Sequence, residues 1–328
     1  MFAHSLDAIS AKRLRSAQGV SSQSFYHIDA SMSSCYISAQ WRAVPRQSRQ
    51  TTSAAACRQA GPWEDLVSFI TLMTDFGIKD GNVGVMRGVI WRIAPQVKIA
   101  DLSHTIAPQN IAEAALILAR SAPYFPPFTV HVVVVDPGVG TARRPMAGQL
   151  GSQFFVGPDN GVITYLLEEA ERQNLPVKFV HINRPQYWLP EVSHVFHGRD
   201  IFSPVAAQIA NGTTLDALGD PIDDPVRISV AHPERTKAGW RGQVIHIDHF
   251  GNIATNIRKE QLGDPKPLVV RLCGADIPGL YRTFGELAPG ELMALYGSTG
   301  NLIVSVVNGD AAERLQAQVG DVVEVALD

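Results

Sequence analysis

Five residues in this chain have the types and settings to do chemistry together. Asp75, Asp136 and Asp248 each stand at or just beyond the end of an apolar run, Arg143 follows Asp136 by seven residues, and His197 lies in a histidine-containing stretch further on. A carboxylate accepts hydrogen bonds or a proton, a guanidinium donates hydrogen bonds and keeps its charge, and an imidazole can do either near neutral pH. Asp136 and Arg143 are the most informative pair. The valine-rich run Val130 to Val135 stops at Asp136, and the turn Pro137-Gly138-Val139-Gly140 then delivers Arg143 and Arg144. Two readings of that turn stand side by side: a ligand site beyond the carboxyl end of a strand, or a tight turn that needs Asp and Gly only for its backbone.

The surrounding elements have to position these groups. Leu66 to Met73 reads as a strand ending in Thr74-Asp75-Phe76-Gly77, and Val83, Met86, Ile90 and Ile93 have helical spacing before Pro95. Val97 to Leu102 is a short strand with Ser103-His104 in the turn beyond it. A helix is expected from near Pro108, stopped by Pro123 and the Pro126-Pro127 pair. The valine run suits a strand buried on both faces. A short connection then joins Arg144 to a strand at Gln153 to Val156, followed by the turn Gly157 to Gly161 and a helix from Val162 to Ala170. His181 to Asp200 shows no period, and Ser203-Pro204 looks like the cap and first position of a helix closed by Gly212. Strands alternating with helices predict an α/β domain, a mostly parallel sheet flanked by helices, over residues 66–222. Residues 223–233, in the turn-rich stretch from Asp220 to Pro225, are expected as a linker. Beyond it the pattern is of short strands at Gly242–Ile247, Leu268–Leu272, Leu302–Val307 and Val322–Leu327, predicting a smaller C-terminal antiparallel, β-barrel-like domain over 234–328.

Composition narrows the partners. The 328 residues carry a net charge of −3, which gives no broad electrostatic attraction to nucleic acid or an anionic membrane. No apolar run approaches the roughly 20 residues that span a bilayer. Cys35, Cys57 and Cys273 show neither CxxC spacing nor a disulfide framework, so a reducing, cytoplasmic home is expected. Residues 1–65 are rich in Ser, Gln, Ala and Arg without an apolar period, and are expected to be a disordered extension. Their Arg-rich, acid-poor character makes an organelle transit peptide the alternative.

Other constellations give weaker signals. Gly138-Val139-Gly140 lacks both a third glycine at dinucleotide spacing and a following Gly-Lys-Ser/Thr. Asp75-Phe76-Gly77 and His197-Gly198-Arg199-Asp200 occur in the wrong order for a kinase. His194, His197, His246, Asp248 and His249 offer metal-ligand types, against which His246 alternates with Ile245 and Ile247 on the wetter face of a strand.

Five motifs taken in order carry a stronger signal. Thr74-Asp75-Phe76-Gly77, Asp136-Pro137-Gly138-Val139-Gly140-Thr141, Pro158-Asp159-Asn160-Gly161, Phe196-His197-Gly198-Arg199-Asp200 and Asp248-His249-Phe250-Gly251-Asn252 resemble those of the S-adenosylmethionine hydroxide adenosyltransferases, relatives of the halogenases that make fluorinated or chlorinated adenosine. The resemblance covers residues 68 to 328. It implies an α/β domain followed by a β-rich domain, and a homotrimer whose sites lie between one chain's first domain and its neighbour's second. It further implies that water or hydroxide displaces methionine from the ribose C5′, giving adenosine and L-methionine, with no cofactor and no metal. The family's Asp-Arg-His triad falls on Asp136, Arg143 and His197. Asp75 matches the carboxylate that grips the ribose, Asp80 and Asp248 positions at the methionine amino group, Ser298 one near its carboxylate, and Asn252 one at the adenine. Phe250, and Asn82 where relatives often carry Tyr, complete the expected pocket, and Gln109 stands where the fluorinating enzymes carry Trp. The fluoride-using relatives have an aromatic in place of Asp136, a serine in place of Gly198 and a long insertion after the arginine segment, so all three differences imply water as nucleophile. The rival from another class is a nucleoside-sensing module without turnover, and a metal-dependent hydrolase is the third reading.

Overall fold

A strand with valines pointing both ways needs a hydrophobic layer above and below it. In the computed structural model, which describes residues 69–263 and 268–327, the valine run has both. Expectations for residues 1–65 lie outside the described residues.

The first part of the chain runs β1 (Phe69–Thr74), α1 (Asn82–Ile93), β2 (Lys98–Ser103), α2 (Ile111–Ser121), β3 (Val130–Val134), β4 (Pro145–Leu150), β5 (Gln153–Pro158), α3 (Thr164–Arg172), β6 (Val177–Ile182), α4 (Ser203–Ala210), α5 (Leu215–Leu218) and β7 (Gly219–Ile222). Among the described residues these strands form one seven-stranded sheet, ordered β2-β1-β3-β5-β4-β6-β7. The sheet is mixed: β2, β1, β3 and β5 are parallel, while β4, β6 and β7 pair antiparallel. Val130, Val132 and Val134 pack with α1 and α4 on one face, and Val133 and Val135 with α2 and α3 on the other. Removing such a valine side chain from water contributes about 2 kcal/mol each.

Two strands, β4 and β6, are not among those expected. β4 occupies what reads as a short connection after Arg144, turning back into β5 through Gly151-Ser152, with Gly151 at φ +59°. Its residues, Met-Ala-Gly-Gln-Leu after Pro145, include no β-branched side chain. β6 lies against β4, and the turn-rich stretch from Asp220 opens within β7, the strand at the sheet edge. The helix expected from Pro108 begins three residues later. Gln109 takes φ +64°, and Asn110 caps α2 by accepting the Glu113 N–H at 3.0 Å.

The second part comprises β8 (Glu234–Arg235), β9 (Gly239–Ile247), β10 (Ile253–Arg258), α6 (Lys259–Leu262), β11 (Leu268–Leu272), β12 (Ala275–Pro278), β13 (Leu292–Tyr296), β14 (Asn301–Val306), α7 (Ala311–Leu315) and β15 (Val322–Leu327). The sheet is antiparallel throughout, ordered β12-β11-β15-β9-β10-β14-β13, with β8 on β9. A bridge from Tyr281 to Leu295 draws its two edges together, so the sheet nearly closes around Val244, Ile253, Val270, Leu302, Val304 and Val323.

One buried polar chain crosses the first sheet. His131 on β3 meets Thr71 Oγ1 on β1 through Nδ1 at 2.8 Å and Gln153 Oε1 on β5 through Nε2 at 3.3 Å. Burial pushes its pKa down to about 4. The unfolded chain takes this proton near pH 6.5 and the folded chain only near 4, so the stability due to neutral His131 is whole above pH 6.5 and drains away as pH falls towards 4. The difference amounts to about 3 kcal/mol. Urea unfolding at about pH 7 and about pH 4.5 should show a steep loss of stability in the native chain and a shallower one in His131→Asn; equal slopes would contradict this account.

Candidate active site

Because β1, β3 and β5 are parallel, the residues that follow them emerge at one edge of the sheet. Asp136 leaves β3 into two successive turns, Val139 N–H to Asp136 O at 3.2 Å and Thr141 N–H to Gly138 O at 3.1 Å. These fold the chain back so that Arg143 faces Asp136. Two glycines make the path: a Cβ on Gly138 would press on the Arg143 stem at 3.0 Å, and one on Gly140, at φ +75°, would collide with the His194 carbonyl.

Arg143 is shared between two partners. Its Nε donates to Asp136 Oδ1 at 2.8 Å and Oδ2 at 3.0 Å, its Nη2 also bonds Oδ2, and the same Nη2 lies 2.9 Å from His197 Nδ1. The guanidinium stacks 5.2 Å from the Phe202 ring. Both side chains of the ion pair are almost buried, Asp136 at 4% exposure and Arg143 at 10%. Arg143 Nη1 is also buried and has no protein acceptor among the described residues.

That geometry sets the state of His197. Arginine only donates, so Nδ1 must present its lone pair and the neutral ring carries its proton on Nε2. Burial, then the Arg143 charge, lower its pKa, with Asp136 and Asp200 pulling the other way. The result is a neutral imidazole whose free edge is a donor.

His197 is delivered by a π-helical turn, Gly198–Phe202, that runs straight into α4. Ser203 is therefore not a cap: it sits inside continuous helical backbone, and its hydroxyl donates back to Gly198 O at 2.7 Å. Asp200, fully buried, accepts from Ser193 N at 2.8 Å and from Arg199 Nε at 2.6 Å, which holds the His194 to His197 loop onto the turn.

Asp75 follows β1 and accepts the Gln109 backbone N–H on Oδ2 at 2.8 Å. Its other oxygen has no hydrogen-bond partner among the described residues. Asp80 and Asn82 are exposed at the start of α1. Asp248 lies in the second sheet's β9–β10 turn, where it accepts Phe250 N and Asn252 N at 2.9 Å and Asn252 Nδ2 at 2.8 Å. This tight turn pushes Phe250 outward to 72% exposure. Ser298 is exposed in the turn after β13. Two groups result. Asp136, Arg143 and His197 touch, with Asp75 and Asp80 on elements of the same sheet; Asp248, Phe250, Asn252 and Ser298 stand on the second sheet. Among the described residues no hydrogen bond or ion pair joins the two groups. No three His, Cys, Asp or Glu residues among those described are arranged to hold a metal ion.

Sequence reasoning missed the Gln109 backbone contact, the Phe202 ring beneath Arg143 and the buried Asp200. Gln109 is marked in the sequence as a pocket position, but its backbone contact carries no signal, since a left-handed φ on a non-glycine leaves no mark in composition. Since the Arg143 charge helps hold His197 neutral, Arg143→Met should raise the imidazole pKa, read from a proton NMR titration of its ring. An unmoved or lower midpoint would contradict the coupling. Leaving Asp136 buried without its cation should also cost about 3 kcal/mol of stability.

Comparison with known proteins agrees with this architecture. Residues 70–219 match the model of the SAM hydroxide adenosyltransferase N-terminal domain, and residues 242–324 that of its C-terminal domain. The (R)-S-adenosyl-L-methionine hydrolase of Salinispora tropica is 37% identical over 262 residues, covering 79% of this chain and 96% of the relative. The protein of the same name from Thermus thermophilus is 37% identical over 259 residues, covering 76% and 96%. The crystal structure of an uncharacterized conserved protein from Thermotoga maritima superposes with a TM-score of 0.73 at 35% identity, covering 78% of this chain and 99% of that one. Matched in both parts of its length by the family's two domains, the chain belongs to the SAM hydroxide adenosyltransferase family.

Proposed function

We propose that this protein hydrolyses S-adenosyl-L-methionine to adenosine and L-methionine, water attacking the ribose C5′ while the sulfonium departs. The observation that carries the reading is the partly buried Asp136–Arg143–His197 contact with one guanidinium nitrogen, Nη1, unused. An N–H of a charged group without an acceptor in a nearly dry site is suited to an oxygen ligand. The family and the names of its relatives supply the substrate.

The residue chemistry fits that reaction. Sulfonium leaves as a neutral thioether and needs no acid, so the demand falls on the nucleophile and its in-line placement. Free hydroxide at neutral pH would cost roughly 12 kcal/mol to generate. The proton is instead lost as the new C–O bond forms, when the attacking oxygen turns positive and acidic. Asp136 receives it, because the His197 Nδ1 lone pair already faces Arg143 and its Nε2 bears hydrogen. His197 then holds the water by donating, and Arg143 orients Asp136 and the water without ever acting as a base. One water and one sulfonium cation give adenosine, methionine and one proton.

Asp75 accepts the ribose cis-diol on its open oxygen. Asp80 and Asp248 take the methionine ammonium, Ser298 its carboxylate, Asn252 an adenine edge, Phe250 an adenine face, and Asn82 lines the pocket. The separation of Asp248, Phe250, Asn252 and Ser298 from the triad supports a complete site formed between copies, in a homotrimer.

Incubation with S-adenosyl-L-methionine in ¹⁸O-water should place one label in adenosine and none in methionine; binding without products would favour a sensor instead. Asp136→Asn should lower kcat by about 100-fold or more while KM moves only a few-fold. Unchanged turnover would remove Asp136 from the mechanism.

A further inference from the structure

Asp75 can grip a diol only if the turn that carries it is fixed, and the structure devotes a chain of polar contacts to that turn. The Phe76 N–H donates to Thr74 Oγ1 at 3.2 Å. Thr74 Oγ1 lies 2.9 Å from His104 Nδ1. His104 Nε2 stands 3.1 Å from Asp101 Oδ1, and Asp101 Oδ2 is paired with Arg87 from α1. The same histidine's backbone carbonyl accepts the Gly77 N–H at 2.7 Å, at a residue with φ +69°. His104 therefore holds the residues on both sides of Asp75, one through Thr74 and its ring, the other through its main chain.

The charges beside His104 set the order of donors. Asp101, answered by Arg87, can only accept. Its Oδ1 lies 3.1 Å from Nε2 without the alignment of a hydrogen bond, and a carboxylate that close favours the ring proton on Nε2, so Nδ1 presents a lone pair. The Thr74 hydroxyl must then donate to Nδ1, which leaves its oxygen free to accept from Phe76. His104 and Thr74 are both buried, so water does not compete for the bond between them. On the far side, the Gln109 N–H fixes Asp75 Oδ2. One carboxylate oxygen remains, aimed by a turn that His104 clamps.

We infer that His104 is a positioning residue for the ribose subsite, acting through Thr74 and the Phe76–Gly77 backbone to hold the open oxygen of Asp75 at the diol. The inference rests on the reading of Asp75 as the diol acceptor, and the test separates the two. Dissociation constants for adenosine and for 2′,3′-dideoxyadenosine, which lacks the diol, are measured calorimetrically on the native chain, His104→Leu and His104→Asn. The native chain prefers adenosine. His104→Leu loses about 10-fold in affinity for adenosine and little for the dideoxy compound. His104→Asn, whose amide oxygen can still accept from Thr74, recovers most of the difference. Should His104→Leu fail to fold, Thr74→Val removes the same link and is compared in the same way.

Equal losses for both nucleosides, or no rescue by Asn, overturn the positioning role and leave the diol reading intact. A native chain that binds both nucleosides equally, or neither, overturns the diol reading and the inference with it.

Discussion

A guanidinium removed from water has to be answered by acceptors on several sides at once, and Arg143 is the group around which this structure is arranged. Its Nε edge meets Asp136, its Nη2 bridges Asp136 and His197, and its face lies on Phe202. Only Nη1 is left over. Two pieces of chain make these contacts: the end of β3 supplies Asp136, and the π-helical turn Gly198–Phe202, with His197 just before it, supplies both the imidazole and the ring. The sheet and the turn packed on one of its faces deliver all three.

The two halves of the first sheet serve this end differently. The parallel half puts Asp75 and Asp136 at one edge and packs them over fully buried strands. The antiparallel half begins immediately after the arginines. Arg144, next to Arg143, turns the opposite way and is held by the buried Asp159 and by Asp224, while Asp159 also accepts the Val226 N–H at 2.8 Å. Neighbouring arginines thus take unrelated tasks, one in the site and one stapling the strand end to the chain that leaves the sheet. A strand's alternation makes this division automatic once β4 begins at Pro145.

Charge is used sparingly. His197 sits beside a cation and is partly desolvated, so it stays neutral, and its tautomer follows from the single fact that arginine cannot accept. His104 has its tautomer biased from the other direction, by the charge of a neighbouring carboxylate. Two histidines at the same sheet edge are oriented by opposite partners. On the second sheet, Asp248 folds its own turn and leaves Phe250 exposed, an arrangement that offers a surface to something outside its own sheet.

The alternation of apolar runs and helical periods makes the α/β and β-rich parts legible in the amino-acid order alone, because burial on two faces forces long apolar strands and burial on one forces alternation. The motifs at Asp75, Asp136, His197 and Asp248 are legible too, since strand-end carboxylates and glycine turns leave fixed residue types at fixed spacings. β4 is not, because Met-Ala-Gly-Gln-Leu becomes a strand only when β5 and β6 offer edges on either side. Ser203 misleads for a related reason: a serine before proline signals a cap locally, yet the π turn at Gly198 has already started the helix. Above all, residue types say that an acid, an arginine and a histidine are present, but not which nitrogen faces which oxygen. Those are contacts across 54 residues of chain between Arg143 and His197. Only packing of the β3 edge, the Gly140 turn and the Gly198 turn against one another decides them, because the hydrogen bonds that fix proton positions act over about 3 Å and carry no trace in linear order.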